Sequence, residues 1–321
     1  MSLSFAEAEA LFGRMLDGDM VDEEISATLI EMADRGETAP EIAGAVSAMR
    51  ARMKRMAAPA HAIDVCGTGG DGQHSLNIST TVAIVVAACG VPIAKHGNRA
   101  ASSRAGTADT LEALGLDLEK ASARAEETLG DIGIGFFFAQ AHHPALGRIA
   151  PIRKALGRRT IFNLLGPLAN PAGVTRQLVG VSSPAFVPLY HDAMAMLGTE
   201  RAMIVSGEEG LDELSIAGPS RIAAIGLTGI GECLSPEDAG LARHPLEAIR
   251  GGEADYNAAA LRRLLQGETG AYRDAVLLNA AGALIVAGEA HDWRDGVEEA
   301  AEAIDKGLAN ALLDCWIDAV K

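Results

Sequence analysis

The chain has 321 residues, 49% of them hydrophobic, with 36 glycines and only 4% aromatics. That supports a sizeable core and many tight turns, which suits an α/β enzyme and argues against a β-sandwich. A net charge of −16 argues against a general nucleic-acid binder, and the longest apolar stretch, residues 80–94, is short and interrupted by Gly90 and Pro92, so no membrane span is expected.

In chain order, the first residues lack a basic region before an apolar run, so no leader is read and a cytoplasmic location is expected. Residues 4–55 read as three short amphipathic helices. Ser4-Phe5-Ala6-Glu7 is a capping-box pattern, followed by Leu11, Phe12, Met15 and Leu16 on one side. Residues 22–35 repeat the pattern with Ile25, Leu29 and Met32, and Gly36 is placed to stop them. Thr38-Ala39-Pro40-Glu41 opens the third helix, through Ile42, Val46, Met49 and Met53. Ala57-Ala58-Pro59-Ala60 then reads as a linker.

From residue 62 short apolar runs alternate with helical patterns. Strands are expected at 63–66, 91–94, 134–138, 178–181 and 202–205. Helices are expected at 79–88, 108–114, 120–129, 144–155, 160–165 and 185–197. Such alternation implies a mostly parallel sheet flanked by helices. Residues 214–227 look like further strands, and the C-terminal segment reads as helical. Cys66, Cys89, Cys233 and Cys315 have no C-x-x-C spacing and are expected as buried, reduced thiols.

The charge distribution says more than its sum. No Asp or Glu occurs from Gly72 to Ala108 or from Ile132 to His191. Those windows do carry Lys95, Arg99, Arg104, Arg148, Arg153, Lys154, Arg158, Arg159 and Arg176. Buried core explains some missing carboxylates but not nine cations. The windows read as walls of an anion site, where a fixed carboxylate would repel the ligand.

Gly67-Thr68-Gly69-Gly70-Asp71-Gly72 fits G-x-G-x-x-G. A dinucleotide site also wants an acid about 20 residues on, at the end of the next strand. Here that strand ends Ala94-Lys95-His96, and no Walker Gly-Lys-Ser/Thr follows either. What remains is a glycine turn whose N–H groups approach a phosphate. Ser75, Asn77, Ser79 and Thr80 add hydroxyl and amide groups before an apolar helix, more than an N-cap needs.

These motifs carry a resemblance. Gly67-Thr68-Gly69-Gly70-Asp71, Asn77-Ile78-Ser79-Thr80 and Lys95-His96-Gly97-Asn98-Arg99-Ala100-Ala101-Ser102-Ser103 are similar to the signatures of the anthranilate phosphoribosyltransferase family. So are the run Gly106–Gly115, Phe138-Ala139-Gln140-Ala141-His142-His143-Pro144-Ala145, Pro151-Ile152-Arg153, Arg159–Leu168 and Gly210-Leu211-Asp212-Glu213-Leu214. The resemblance covers nearly the whole chain, in order. Departures are small: Thr107 for serine, Gln140 for proline, and His74-Ser75-Leu76 for a Thr-Phe element.

The resemblance implies transfer of phosphoribose from phosphoribosyl pyrophosphate (PRPP) to the amine of anthranilate, releasing pyrophosphate, with Mg²⁺ as cofactor. It implies PRPP contacts at Gly67, Gly70, Asp71, Ser75, Asn77, Ile78, Ser79, Thr80, Lys95, Asn98, Arg99, Ala100, Ala101, Ser102, Ser103 and Thr107. Anthranilate falls to Gly67, Asn98, Arg153 and His96, with Arg153 chosen because its fork matches a carboxylate. A structural role for His96 stays open. Magnesium falls to Ser79, Asp212 and Glu213. His142 and His143 are not assigned as bases, because a neutral aniline-type amine needs no early deprotonation. The expected fold is α/β, with a small all-helical domain (1–60 with roughly 153–175) and a large domain (61–152 and 176–321) around a mostly parallel sheet. The family further implies a hinged cleft and a homodimer. A pyrimidine nucleoside phosphorylase and a non-catalytic nucleic-acid-binding relative are the rival readings.

Overall fold

The computed structural model describes residues 2–100 and 104–321. Ala101, Ser102 and Ser103 therefore lie outside the described residues.

The chain opens with α1 (Phe5–Asp17), α2 (Asp22–Arg35) and α3 (Ala39–Arg50). Ser4 and Glu7 form the expected capping box on α1, and Gly18 ends it in the left-handed region. One face of α3 could not serve a helix this enclosed: Ile42, Ala43, Ala45, Val46 and Ala48 are all fully buried. A side chain at Gly44 would meet the Phe5 carbonyl oxygen at 2.4 Å, so α1 and α3 pack backbone against backbone. Met49 is in this intramolecular core, and Met53 lies beyond the end of α3.

Buried Glu41 ties the three helices together. Its carboxylate accepts from Leu3 N (2.8 Å), Thr38 N (2.9 Å) and both terminal nitrogens of Arg35 (3.0 and 2.5 Å). Glu41→Ala orphans two N–H groups and a guanidinium. It is expected to cost about 3 kcal/mol in urea unfolding; a loss below about 1 kcal/mol would mean that water replaces the carboxylate.

The sheet holds β1 (Ile63–Gly67), β2 (Ile93–Gly97), β3 (Ile134–Phe138), β4 (Arg176–Gly180), β5 (Arg201–Gly207), β6 (Ser220–Ile225) and β7 (Cys233–Leu234). Their order is β3-β2-β1-β4-β5-β6-β7, the first five parallel and the last two antiparallel. The order reverses between β1 and β4, and a crevice opens outside the carboxyl ends of strands at such a point. The apolar stretch 80–94 falls mostly in α4 (Ile78–Ala88), buried on all sides between the sheet and the C-terminal helices.

The helices after the sheet are Ala254–Leu265, Ala271–Ala287, Trp293–Asp305 and Leu308–Ala319. They share one core with α4. The sheet's other face shares a core with α1–α3 and with the helices Leu146–Leu156, Phe162–Leu165 and Phe186–Met196. The Leu146–Leu156 helix straddles the domain boundary expected at 153.

Three sequence expectations change. The helix expected at 120–129 breaks at Arg124, whose backbone (φ −103°, ψ 15°) leaves helical geometry. The second strand is shifted to Ile93–Gly97, because its pairing with β3 runs on to Gly97 opposite Phe138. That shift places Lys95 and His96 inside a strand. Among the cysteines only Cys66 is buried, and Cys233 and Cys315 are exposed; all four are free.

Candidate active site

The glycine turn follows β1 at the switch point. Gly69, Gly70 and Gly72 have φ of 67°, 76° and 73°, the left-handed region where a side chain is strained. The sharp turn leaves Asp71 folded back on itself: its Oδ1 accepts from Gln73 N at 3.1 Å. Its Oδ2 is buried without a hydrogen-bond partner.

Opposite stands the acid loop after β5. Gly67 pairs with Gly180 across β1 and β4, and Asp212 presses onto both. A Cβ at Gly67 would meet Asp212 Oδ2 at 2.2 Å, and one at Gly180 would meet the Asp212 carbonyl oxygen at 1.6 Å. Gly69 N donates to Asp212 Oδ2 at 2.7 Å. Behind the loop, fully buried Asn279 grips the Leu214 backbone twice, accepting from its N–H and donating to its carbonyl, each at 2.9 Å.

Asp71, Asp212 and Glu213 form one carboxylate cluster. Burial first, then the Asp71 charge, raises the Asp212 carboxyl above its ordinary range. Burial, then Asp212, raises Glu213 further, against relief from Lys95 and from the Ser79 N–H at the start of α4. A cluster with an orphaned buried oxygen and mutually disfavoured charges suits a divalent cation held by carboxylate oxygen. Among the described residues no three His, Cys, Asp or Glu groups form a ready-made metal site, so ligand oxygens and water must complete the shell.

The other residues singled out by the motifs lie partly at the turn and partly against other elements. Ser75 bridges to Arg250. Thr80 donates to Thr107 at 3.2 Å, and Ile78 is core. Asn77 holds the N-cap position of α4, but its side chain makes no cap bond; its Oδ1 accepts from Thr110 Oγ1 (2.6 Å) and Asn257 Nδ2 (2.9 Å). Lys95 is 2% exposed, with Nζ donating to the His96 carbonyl at 3.1 Å. Its charge is felt by buried Asp64 and Glu213. Arg99 is turned away: its guanidinium pairs with Asp109 (2.9 Å) and Glu112 (2.8 Å), while Ala100 N donates to Asp109 Oδ2 (2.9 Å).

Of the residues expected at the acceptor, Asn98 has its Oδ1 accepting from Arg99 N (2.8 Å) and Gln140 Nε2 (3.3 Å). Half-buried Arg153 lies over the Phe162 ring (5.4 Å to the centroid) and has no carboxylate partner among the described residues. The His96 and His143 rings sit 5.6 Å apart, each with a buried Nε2 lacking a partner. Burial lowers both, His143 to about 4, so both stay neutral near pH 7 and neither is a strong base. His142 is structural, with one ring nitrogen on Ser122 Oγ (3.2 Å) and the other on the Lys54 carbonyl (3.1 Å).

The cation surplus read from the sequence is only partly an anion wall. Arg148, Arg158, Arg159 and Arg176 pair with Asp22, Asp34, Glu37 and Glu200, acids from outside the two windows. Arg99 is matched likewise. Of the others, Lys95 is buried inside β2, Arg153 lies over Phe162, and Arg104 and Lys154 are exposed.

Sequence reading also missed Asp64. Fully buried, it accepts from His96 N (3.1 Å) and from Asn170 Nδ2 (2.8 Å), which also donates to the Ala94 carbonyl (2.8 Å). Asn170 opens the return to β4, so this acid joins the Lys95-His96 strand to the segment leaving the helical layer. A lone Asp in a hydrophobic strand was the signal available.

Residues 1–53 match the model of the glycosyl transferase family's helical bundle domain, and residues 59–310 that family's a/b domain. The anthranilate phosphoribosyltransferase of Novosphingobium aromaticivorans is 65% identical over 320 residues, 99% of this chain and 97% of that protein. The crystal structure of the Thermus thermophilus anthranilate phosphoribosyltransferase superposes with a TM-score of 0.94 at 42% identity, over 100% of this chain and 96% of that one. The Saccharomyces cerevisiae enzyme in complex with PRPP and Mg gives 0.89 at 29% identity, over 99% and 93%.

Proposed function

The chain belongs to the anthranilate phosphoribosyltransferase family, and we propose that it transfers the 5-phosphoribosyl group of PRPP to the amine of anthranilate, in tryptophan biosynthesis. The observation that carries this reading is the pairing of a phosphate-type glycine turn with a carboxylate cluster across Gly67 and Gly180. PRPP and Mg are bound by the yeast relative. Here Asp212, Glu213 and Ser79 would hold Mg²⁺, with Asp71 beside them. When bound, the ion would neutralise negative charge on the departing pyrophosphate.

The chain's own groups supply the rest. Backbone groups at Gly67, Gly70 and Asp71 and the polar groups of Ser75, Asn77, Ser79, Thr80 and Thr107 orient the donor. Lys95 contributes positive charge from inside β2. Asn98 and Ala100 sit beside this cradle; the Arg99 side chain contributes through its pairing with Asp109, not through free charge. Catalysis is positioning and electrostatics, with no covalent intermediate and no histidine base. The two low-pKa histidines support that assignment.

Loss of anthranilate fluorescence on mixing with PRPP and Mg²⁺ is the expected result, abolished by chelator. No turnover, or turnover indifferent to chelator, would overturn the reading and return the phosphorylase alternative. Arg153→Ala is expected to raise KM for anthranilate about ten-fold or more, with KM for PRPP nearly unchanged. A rise confined to PRPP would reassign Arg153. The family also implies a homodimer through the helical layer; light scattering at the monomer mass would exclude it.

A further inference from the structure

Asn77 starts α4 yet caps nothing with its side chain. Its amide is instead held from outside, and the orientation can be followed from a group that has only one role. The Gly252 N–H can only donate, so it faces Asn257 Oδ1, at 2.8 Å. The Asn257 NH₂ therefore points the other way, to Asn77 Oδ1 at 2.9 Å. Thr110 Oγ1 adds a second donor to the same oxygen at 2.6 Å. With its oxygen occupied, the Asn77 NH₂ points the other way and donates one of its two N–H groups to the Ala105 carbonyl at 3.4 Å, leaving the second for a ligand.

The holding groups are buried: Asn257 is 2% exposed and Thr110 fully enclosed. The Asn77 main chain is fixed too, its carbonyl accepting from Thr81 Oγ1 (3.0 Å) and the Tyr272 hydroxyl (3.2 Å). The loop that sets Asn257 also braces the outgoing arm of the glycine turn. Gly251 N donates to the His74 carbonyl and Leu76 N to the Ile249 carbonyl, both at 2.8 Å.

We propose that Asn257 is a positioning residue for the sugar-phosphate donor: it fixes the Asn77 amide so that its NH₂, not its oxygen, faces the anionic ligand. An amide oxygen there would repel phosphate oxygens, whereas NH₂ donates to them. This rests on the reading that PRPP lies at the glycine turn and the start of α4.

Asn257→Asp separates polarity from packing. Its carboxylate still accepts the Gly252 N–H but presents a second oxygen to Asn77, which must turn its amide over. Asn257→Ala removes both bonds. Asn257→Asp is expected to raise KM for PRPP about ten-fold or more and to exceed the effect of Asn257→Ala, with KM for anthranilate within about two-fold. A purely structural role predicts the reverse order, with both KM values following the melting temperature. That result, or equal effects of the two variants, overturns the proposal. Should Asn257→Asp fail to fold, Thr110→Val takes its place: a rise of a few-fold in the PRPP KM alone supports the proposal, and an unchanged one overturns it. An inactive wild type would defeat the underlying function instead, so the two failures are distinguishable.

Discussion

Gly180→Ala is expected to lower kcat/KM by about a hundred-fold or more while leaving a folded protein. A β-carbon there would lie 1.6 Å from the Asp212 carbonyl oxygen and 2.3 Å from its carbonyl carbon. Neither atom ends a flexible side chain, so the backbone itself must move. Overpacking of this kind costs about 1–3 kcal/mol, which a two-layered core of this size can absorb. Activity cannot absorb it, because the acid loop must retreat from the glycine turn, and a displacement of about 1 Å at a reacting centre can cost about a hundred-fold. Gly147→Ala is the control: nothing lies within 4 Å of its added carbon, and it sits in the exposed first turn of the Leu146–Leu156 helix. It is expected to be neutral or slightly stabilising. A fully active Gly180→Ala would mean that the close approach of the two loops is dispensable.

Gly180 shows why part of the site could not be read from the chain. The turn at 67–72 announces itself locally, through glycines that need left-handed φ and a polar run leading into an apolar helix. Asp212-Glu213 was recognisable through the family motif. Gly180 is an ordinary strand residue until β4 is paired with β1 and the acid loop is laid over both. Asn257 and Asn279 are equally silent: each is a helical asparagine whose meaning is a group it grips in a distant segment, the Asn77 side chain for one and the Leu214 backbone for the other. The alternation of strands and helices was legible because burial imposes a period on each element. The order of the strands, and the pairing of Arg148, Arg158, Arg159 and Arg176 with acids far away in sequence, are tertiary facts. That is why a run of unopposed cations looked like a wall when several of them are paired within the helical layer and along the sheet.

The carboxylate cluster makes the opposite kind of prediction, in which activity and stability move apart. Asp71, Asp212 and Glu213 are brought together with little to offset their mutual repulsion except Lys95 and a few N–H groups. A site that waits for a cation carries this cost whenever the cation is absent. Asp212→Asn keeps the shape and an oxygen that can accept the Gly69 N–H, but removes one charge from the cluster. Without metal the variant is expected to be more stable than the wild type by about 1 kcal/mol, a rise of roughly 2–4 °C in melting temperature. Added Mg²⁺ with pyrophosphate should raise the wild-type melting temperature and leave the variant's nearly unchanged. Turnover should fall about a hundred-fold or more, because the negative charge that holds the ion is gone. If the variant melted lower than the wild type without metal, the Asp212 charge would be holding the glycine turn in place through Gly69, and the cluster would be part of the fold's support instead of a strained seat for a cation.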